Sequence, residues 1–173
     1  MMMPFSENIK PACHFLYPST VFVGTNGTSI QTILGSCVAV CLYDPILKCG
    51  GMNHYMLPLW NGEGLESPKY GNVAIDMLLA KMTHLSLRKE TLIAKVFGGA
   101  NQYDRKSNAF NIGERNIQLA LYTLKKYSIP VAASSLGGAH GRKVLFDTGS
   151  GQVFMKYIHQ ENFERTSIVI NKE

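Results

Sequence analysis

Gly35-Ser36-Cys37-Val38-Ala39-Val40-Cys41-Leu42-Tyr43-Asp44-Pro45-Ile46-Leu47-Lys48-Cys49-Gly50-Gly51-Met52-Asn53-His54 decides the fold class. Val38, Val40 and Leu42 alternate with Cys37, Ala39, Cys41 and Tyr43, a period of two that suits a β-strand. Asp44-Pro45 favours a type I turn, Asp at its first position and Pro at its second. A loop over Asp44–Leu47 pairs Tyr43 with Lys48, and that register sets Cys37 directly opposite His54. Directly opposed residues share a face, with Cβ atoms about 4.5–5.5 Å apart. A one-residue slip removes the contact.

A thiol next to an imidazole has a specific use. The thiolate is the nucleophile, and a neighbouring histidine is the usual way to generate it. Cys37 and His54 together suit acyl transfer: attack on a carbonyl or carboxamide, then release of an amine or ammonia. An isolated cysteine in an apolar strand is more often inert packing, which is how Cys41 and Cys49 read; Cys13 has no assigned role. Zinc is the rival use of Cys37, Cys41, Cys49 and His54. The close two-residue knuckle of structural zinc is missing, and Cys49, opposite Leu42 in this register, points away from Cys37 and Cys41. No metal or other cofactor is expected.

Outward from the hairpin, Leu16–Val23 reads as a strand closed by Gly24-Thr25-Asn26-Gly27. Ser67-Pro68 reads as a helix start, with Tyr70, Val73, Ala74, Met77, Leu78 and Leu85 on its apolar face. Thr91–Phe97 is a strand entering Gly98-Gly99-Ala100. A second helix starts near Asn111 or Gly113, buries Ile117, Ala120, Leu121 and Leu124, and stops before Pro130. Val131–Ser134 is a strand entering Gly137-Gly138-Ala139-His140-Gly141-Arg142. A hairpin follows, Val144 and Phe146 on one arm and Val153–Ile158 on the other, and Ser167–Ile170 could add a last strand. With no repeat, linker or low-complexity tract, the chain reads as one α+β domain over 16–173 after an N-terminal extension, 1–15.

Composition narrows the function classes. A chain of 173 residues, 46% hydrophobic and 17% charged, is long enough to bury a core and balanced like a globular protein. No apolar run reaches bilayer-spanning length, and Met1–Ser6 lacks the basic and apolar regions of a signal peptide. Four cysteines without framework spacing suggest free thiols in a reducing cytoplasm. The net charge is +5, but Arg88-Lys89, Lys125-Lys126 and Arg142-Lys143 are scattered and no aromatic-interleaved basic stripe exists, so nucleic-acid binding is not expected. An acidic partner surface fits the charge equally well.

Neither glycine loop matches a phosphate-binding or dinucleotide pattern. Double glycines commonly mark tight turns or close backbone approach; the functional alternative is that the loops line a slot for an extended side chain. His14, His84 and His159 read as surface or packing residues, and His140, beside Arg142, as a supporting candidate.

From about Val21 to Tyr157 the chain resembles the CheD family, the chemoreceptor glutamine deamidases of bacterial chemotaxis. The resemblance rests on Leu34–Asp44, Gly51–Pro58, Lys69-Tyr70, Gly98-Gly99-Ala100, Asn111–Asn116 and Gly137–Arg142, in order and spacing. It implies a β-sandwich of mixed sheets flanked by helices, related to bacterial toxin deamidases. It implies a protein-glutamine glutaminase, hydrolysing glutamine side-chain amides on receptor helices to glutamate and ammonia. Cys37 matches the family nucleophile and His54 its partner. The third catalytic residue of the family is a threonine six positions before the cysteine, where this chain has Gln31 and, one later, Thr32. Either the segment is shifted, which assigns Thr32, or the role has moved. An acidic residue that the family tends to place two before the second double glycine is Ser135 here. Family members also bind a CheC-type phosphatase.

Two function classes stay open: a cytoplasmic amidohydrolase with no membrane insertion, and a non-catalytic module that binds receptors or the phosphatase. Intact Cys37 and His54 favour the first; Gln31 is the feature that could favour the second.

Overall fold

The computed structural model describes residues 12–86, 88–101 and 111–159. Among the described residues nine strands form two mixed sheets, with two α-helices on one side. The strands are β1 (Cys13–Phe15), β2 (Thr20–Gly24), β3 (Ser29–Leu34), β4 (Val38–Asp44), β5 (Cys49–His54), β6 (Ile93–Gly98), β7 (Val131–Leu136), β8 (Gly141–Asp147) and β9 (Val153–Ile158). The helices are α1 (Gly71–Ser86) and α2 (Ile112–Lys126). One sheet runs β1-β3-β8-β9 and the other β2-β5-β4-β6-β7. This is the expected α+β sandwich with flanking helices.

The alternation along β4 sets the layers. Ala39 and Cys41 face the other sheet, packing with Leu16, Ile30, Leu34, Met52, Phe97, Val144 and Phe146. Val38, Val40 and Leu42 face α1 and α2, packing with Ala74, Ile75, Leu78, Met82, Ile117, Ala120 and Leu124. A strand buried on both faces needs apolar residues at every position, which is what β4 has from Val38 to Leu42.

The structure corrects several expectations. The hairpin turn is Pro45–Lys48, so Asp44 pairs with Cys49 and Tyr43 with Gly50, two positions away from the expected register. Asp44 explains the shift: its carboxylate accepts the Ile46 and Leu47 N–H groups, capping the turn from the last strand position. Of the expected strand Leu16–Val23 only Thr20–Val23 is strand, in β2, because Pro18 and the left-handed Ser19 (φ 63°) carry the chain from β1, which ends at Phe15 in one sheet, to β2 in the other. Strand β3 had no sequence assignment. Helix α1 starts at Gly71 rather than Ser67, because the Lys69 carbonyl accepts from Met56 and Leu57, and Leu57 bridges Tyr70. On that helix Met77 and Leu85 are partly exposed, while Ile75, Leu79 and Met82 are buried. On α2, Ile117, Ala120 and Leu124 are buried as expected and Leu121 is exposed. Ser167–Ile170 lies outside the described residues.

Candidate active site

Cys37 lies in the short connection between β3 and β4, one residue before β4 begins, and is partly buried against the inter-sheet core. His54 ends β5 and is 2% exposed. The shifted register places Cys37 diagonal to His54 rather than opposite it: Val38 bridges Tyr55. A shift of two residues keeps every side chain on its face, so Cys37 and His54 still share the inter-sheet side. Among the described residues no hydrogen bond joins them, and His54 Nε2 is buried without a partner.

The other ring nitrogen is held from the opposite sheet. Thr32, fully buried on β3, lies with Oγ1 2.8 Å from His54 Nδ1 and 2.8 Å from the Leu16 carbonyl. A hydroxyl has one proton and a carbonyl can only accept, so Thr32 donates to Leu16 and accepts from Nδ1–H. That arrangement fixes the tautomer and leaves Nε2 as a bare proton acceptor. Of the two expected possibilities it is Thr32, not Gln31, that meets the histidine. Ile30, Thr32 and Leu34 are the buried set of β3, while Gln31 and Ile33 are not buried.

Burial sets the resting charges. Desolvation lowers the His54 pKa from 6.5 to about 4, against a raising backbone contact with Leu16. Desolvation also raises the Cys37 thiol, opposed by hydrogen bonding from its own backbone N–H. The resting pair is therefore neutral thiol and neutral imidazole. Cys41 is fully buried and its thiol is pushed strongly upward, the state of an inert core cysteine. Cys49 lies on the helix side of the sheet, away from Cys41, and Cys13 is exposed.

The glycine loops build the floor of this connection. Gly99 and Ala100 N–H groups donate to the Cys37 and Gly35 carbonyls, both at 2.9 Å. A Cβ on Gly98, whose φ is +113°, would collide with the Cys37 carbonyl, so close approach dictates that glycine. Gly137 N–H and Arg142 Nη1 both donate to the Gly98 carbonyl. Arg142 is 1% exposed, and its other donors reach the Gly137 carbonyl and Ser135 Oγ. Ser135 thus takes one guanidinium N–H at the position where the resemblance leads one to look for a carboxylate. His140 contacts the His159 and Tyr157 rings on the exposed end of β8 and β9 and does not reach His54.

Asn116 was not singled out from the sequence. It is fully buried on α2, and its side-chain Nδ2 donates to the carbonyls of Ser36 (3.0 Å) and Met56 (2.9 Å), while its backbone carbonyl accepts from the Tyr55 hydroxyl. The available signal was an amide in line with Gly113, Ile117 and Ala120 on the core-facing stripe of α2.

The comparisons with known proteins agree with this architecture. The sequence model of the CheD chemotactic sensory transduction family matches residues 56–157. A "Probable chemoreceptor glutamine deamidase CheD" of Trichlorobacter lovleyi is 50% identical over 149 residues, 86% of this chain and 92% of the relative. Another so named, from Sulfurimonas denitrificans, is 45% identical over 150 residues, 86% of this chain and 96% of the relative. "Probable chemoreceptor glutamine deamidase CheD 1" of Anaeromyxobacter dehalogenans is 41% identical over 144 residues, 83% and 84% of the two chains. The family match begins after His54. The chain belongs to the CheD family.

Proposed function

We propose that this chain is a protein-glutamine glutaminase that converts glutamines on chemoreceptor helices to glutamates. The observation that carries the reading is the Leu16–Thr32–His54 relay, which leaves His54 Nε2 as a free base on the face that Cys37 shares. The names of the relatives supply the substrate class.

The reaction follows from the resting charges. As the sulfur of Cys37 attacks the glutamine carboxamide carbon, its proton passes to Nε2, and the imidazolium is held by Nδ1–H donation to Thr32. Collapse breaks the C–N bond, and the proton on Nε2 goes to the departing nitrogen, releasing ammonia and leaving a thioester. Water then attacks the thioester with His54 again as base, freeing glutamate and the thiol. The net change is glutamine plus water to glutamate plus ammonia.

No cofactor enters this scheme. Gln31 is the feature that could favour a non-catalytic module; the contact of Thr32 with His54 supports the enzyme instead. A cytoplasmic location belongs to the same reading on the free cysteines, and a CheC-type phosphatase partner on the family resemblance alone; among the described residues no helix is long and apolar enough to cross a membrane.

The test is incubation with a glutamine-bearing receptor, following ammonia release and peptide mass. Replacement of NH₂ by OH adds about one dalton at a glutamine, as the thioester route requires. Incorporation of an added primary amine as the main product would make the chain a transglutaminase. Tight receptor binding without any mass change would leave the regulatory module.

A further inference from the structure

We propose that Asn116 is a positioning residue that aims the Cys37 backbone N–H as an oxyanion donor; the proposal rests on the catalytic reading of Cys37. Asn116 Nδ2 donates to two carbonyls that flank the site, Ser36 and Met56. The Ser36 carbonyl belongs to the same planar peptide as the Cys37 N–H. In a trans peptide these two groups point in opposite directions. A Ser36 carbonyl pinned toward α2 therefore turns the Cys37 N–H away from the helices, toward the inter-sheet side where His54 lies. That N–H has no acceptor in any other of the described residues. It is thus a donor held beside the nucleophile, where the oxygen of a tetrahedral intermediate on that sulfur would develop its charge.

The cost of the arrangement supports a functional role. Both Asn116 amide hydrogens are used, yet its Oδ1 is buried with no partner among the described residues. An unpaired buried acceptor costs about 1–3 kcal/mol. An apolar residue of similar volume would avoid that cost on a helix face whose other buried residues, Gly113, Ile117, Ala120, Thr123 and Leu124, are mostly apolar. Only a double donor holds both carbonyls. The second bond, to Met56, together with the bond from Tyr55 Oη to the Asn116 carbonyl, fixes the end of the strand bearing His54 to the same helix turn. One side chain so ties the connection of the nucleophile to the strand of the base.

Two reagents separate aiming of the N–H from placement of the thiol. Acylation of Cys37 by 4-nitrophenyl acetate forms an S–C bond, sends the thiol proton to His54 and expels 4-nitrophenolate through an oxyanion. Alkylation by iodoacetamide displaces iodide at a saturated carbon and develops no oxyanion. In Asn116→Ala and Asn116→Ser, acylation at Cys37, read by peptide mass spectrometry, should fall about tenfold or more. Alkylation at Cys37 should stay within about twofold of wild type, since it depends on the thiolate alone. On receptor, kcat should fall with KM unchanged. Parallel loss of both reactions would overturn the proposal, since the thiol itself would then have moved. Unchanged acylation would overturn it too, and so would failure of both variants to fold, which would make Asn116 a residue of the fold. A wild-type chain that shows both reactions but never deamidates a receptor would instead overturn the functional reading and leave this one standing.

Discussion

His54 makes the fold sensitive to acid. Its imidazole titrates near 6.5 in the unfolded chain and near 4 when buried. Between these values the unfolded chain binds a proton that the native chain refuses, so stability is complete above about 6.5 and drains as pH falls toward about 4. The loss is on the order of 3 kcal/mol. Thermal melts of wild type and His54→Gln over this range should diverge in slope: the wild-type melting temperature drops more steeply with acid, and parallel slopes would deny the shift. The two cysteines of the inter-sheet side should separate as cleanly. Cys37→Ala should abolish glutamine deamidation with the fold kept, whereas Cys41→Ala, in the core with its thiol held protonated, should keep most turnover and lose stability instead. Ammonia release by the Cys37 variant at the wild-type rate would end the thioester mechanism.

At the scale of elements, β3 decides which residue completes the site. Its buried set is Ile30, Thr32 and Leu34, so Gln31 points away from His54 by the alternation of the strand alone. Thr32→Ala should lower turnover by about tenfold or more, roughly 1.4 kcal/mol of barrier, and Gln31→Ala should leave it nearly unchanged; a loss below about tenfold in both variants would make the site a dyad. The strand could be read from Ser29-Ile30-Gln31-Thr32-Ile33-Leu34, but Ile33 on the outer side spoils a clean apolar-in, polar-out pattern. The hairpin was legible because Val38–Tyr43 alternates and Asp44-Pro45 marks its turn. Its register was not, since whether Asp44 ends the strand or begins the loop depends on which N–H groups its carboxylate caps. The error was harmless to the site because it was even: Cys37 and His54 kept a common face. Asn116 and Arg142 escaped a functional reading for another reason. Their partners are backbone carbonyls brought together by tertiary packing, and no local spacing announces these.

For the whole molecule, the decisive geometry spans two sheets. Thr32 belongs to the sheet β1-β3-β8-β9 and His54 to the sheet β2-β5-β4-β6-β7, so their 2.8 Å contact is only as secure as the packing between layers. Val144 and Val96 form a matched pair for testing this. Both are fully buried valines in strands; Val144 pairs with Thr32 and faces the inter-sheet core, while Val96 faces the helices. Truncation of either to alanine removes the same two carbons and should cost about 2 kcal/mol, from transfer plus residual cavity. The stability losses should therefore be similar, measured by denaturant titration with unchanged slope. Turnover should not be similar. At a temperature where both variants are folded, Val144→Ala lets β3 relax against β8 and loosens the hold of Thr32 on Nδ1, so deamidation should fall several-fold. Val96→Ala leaves the inter-sheet layer intact and should retain near-wild-type rates. Equal turnover in the two variants would mean that the alignment of β3 against β5 is not what holds the histidine, and that the relay is fixed locally by the Leu16 carbonyl.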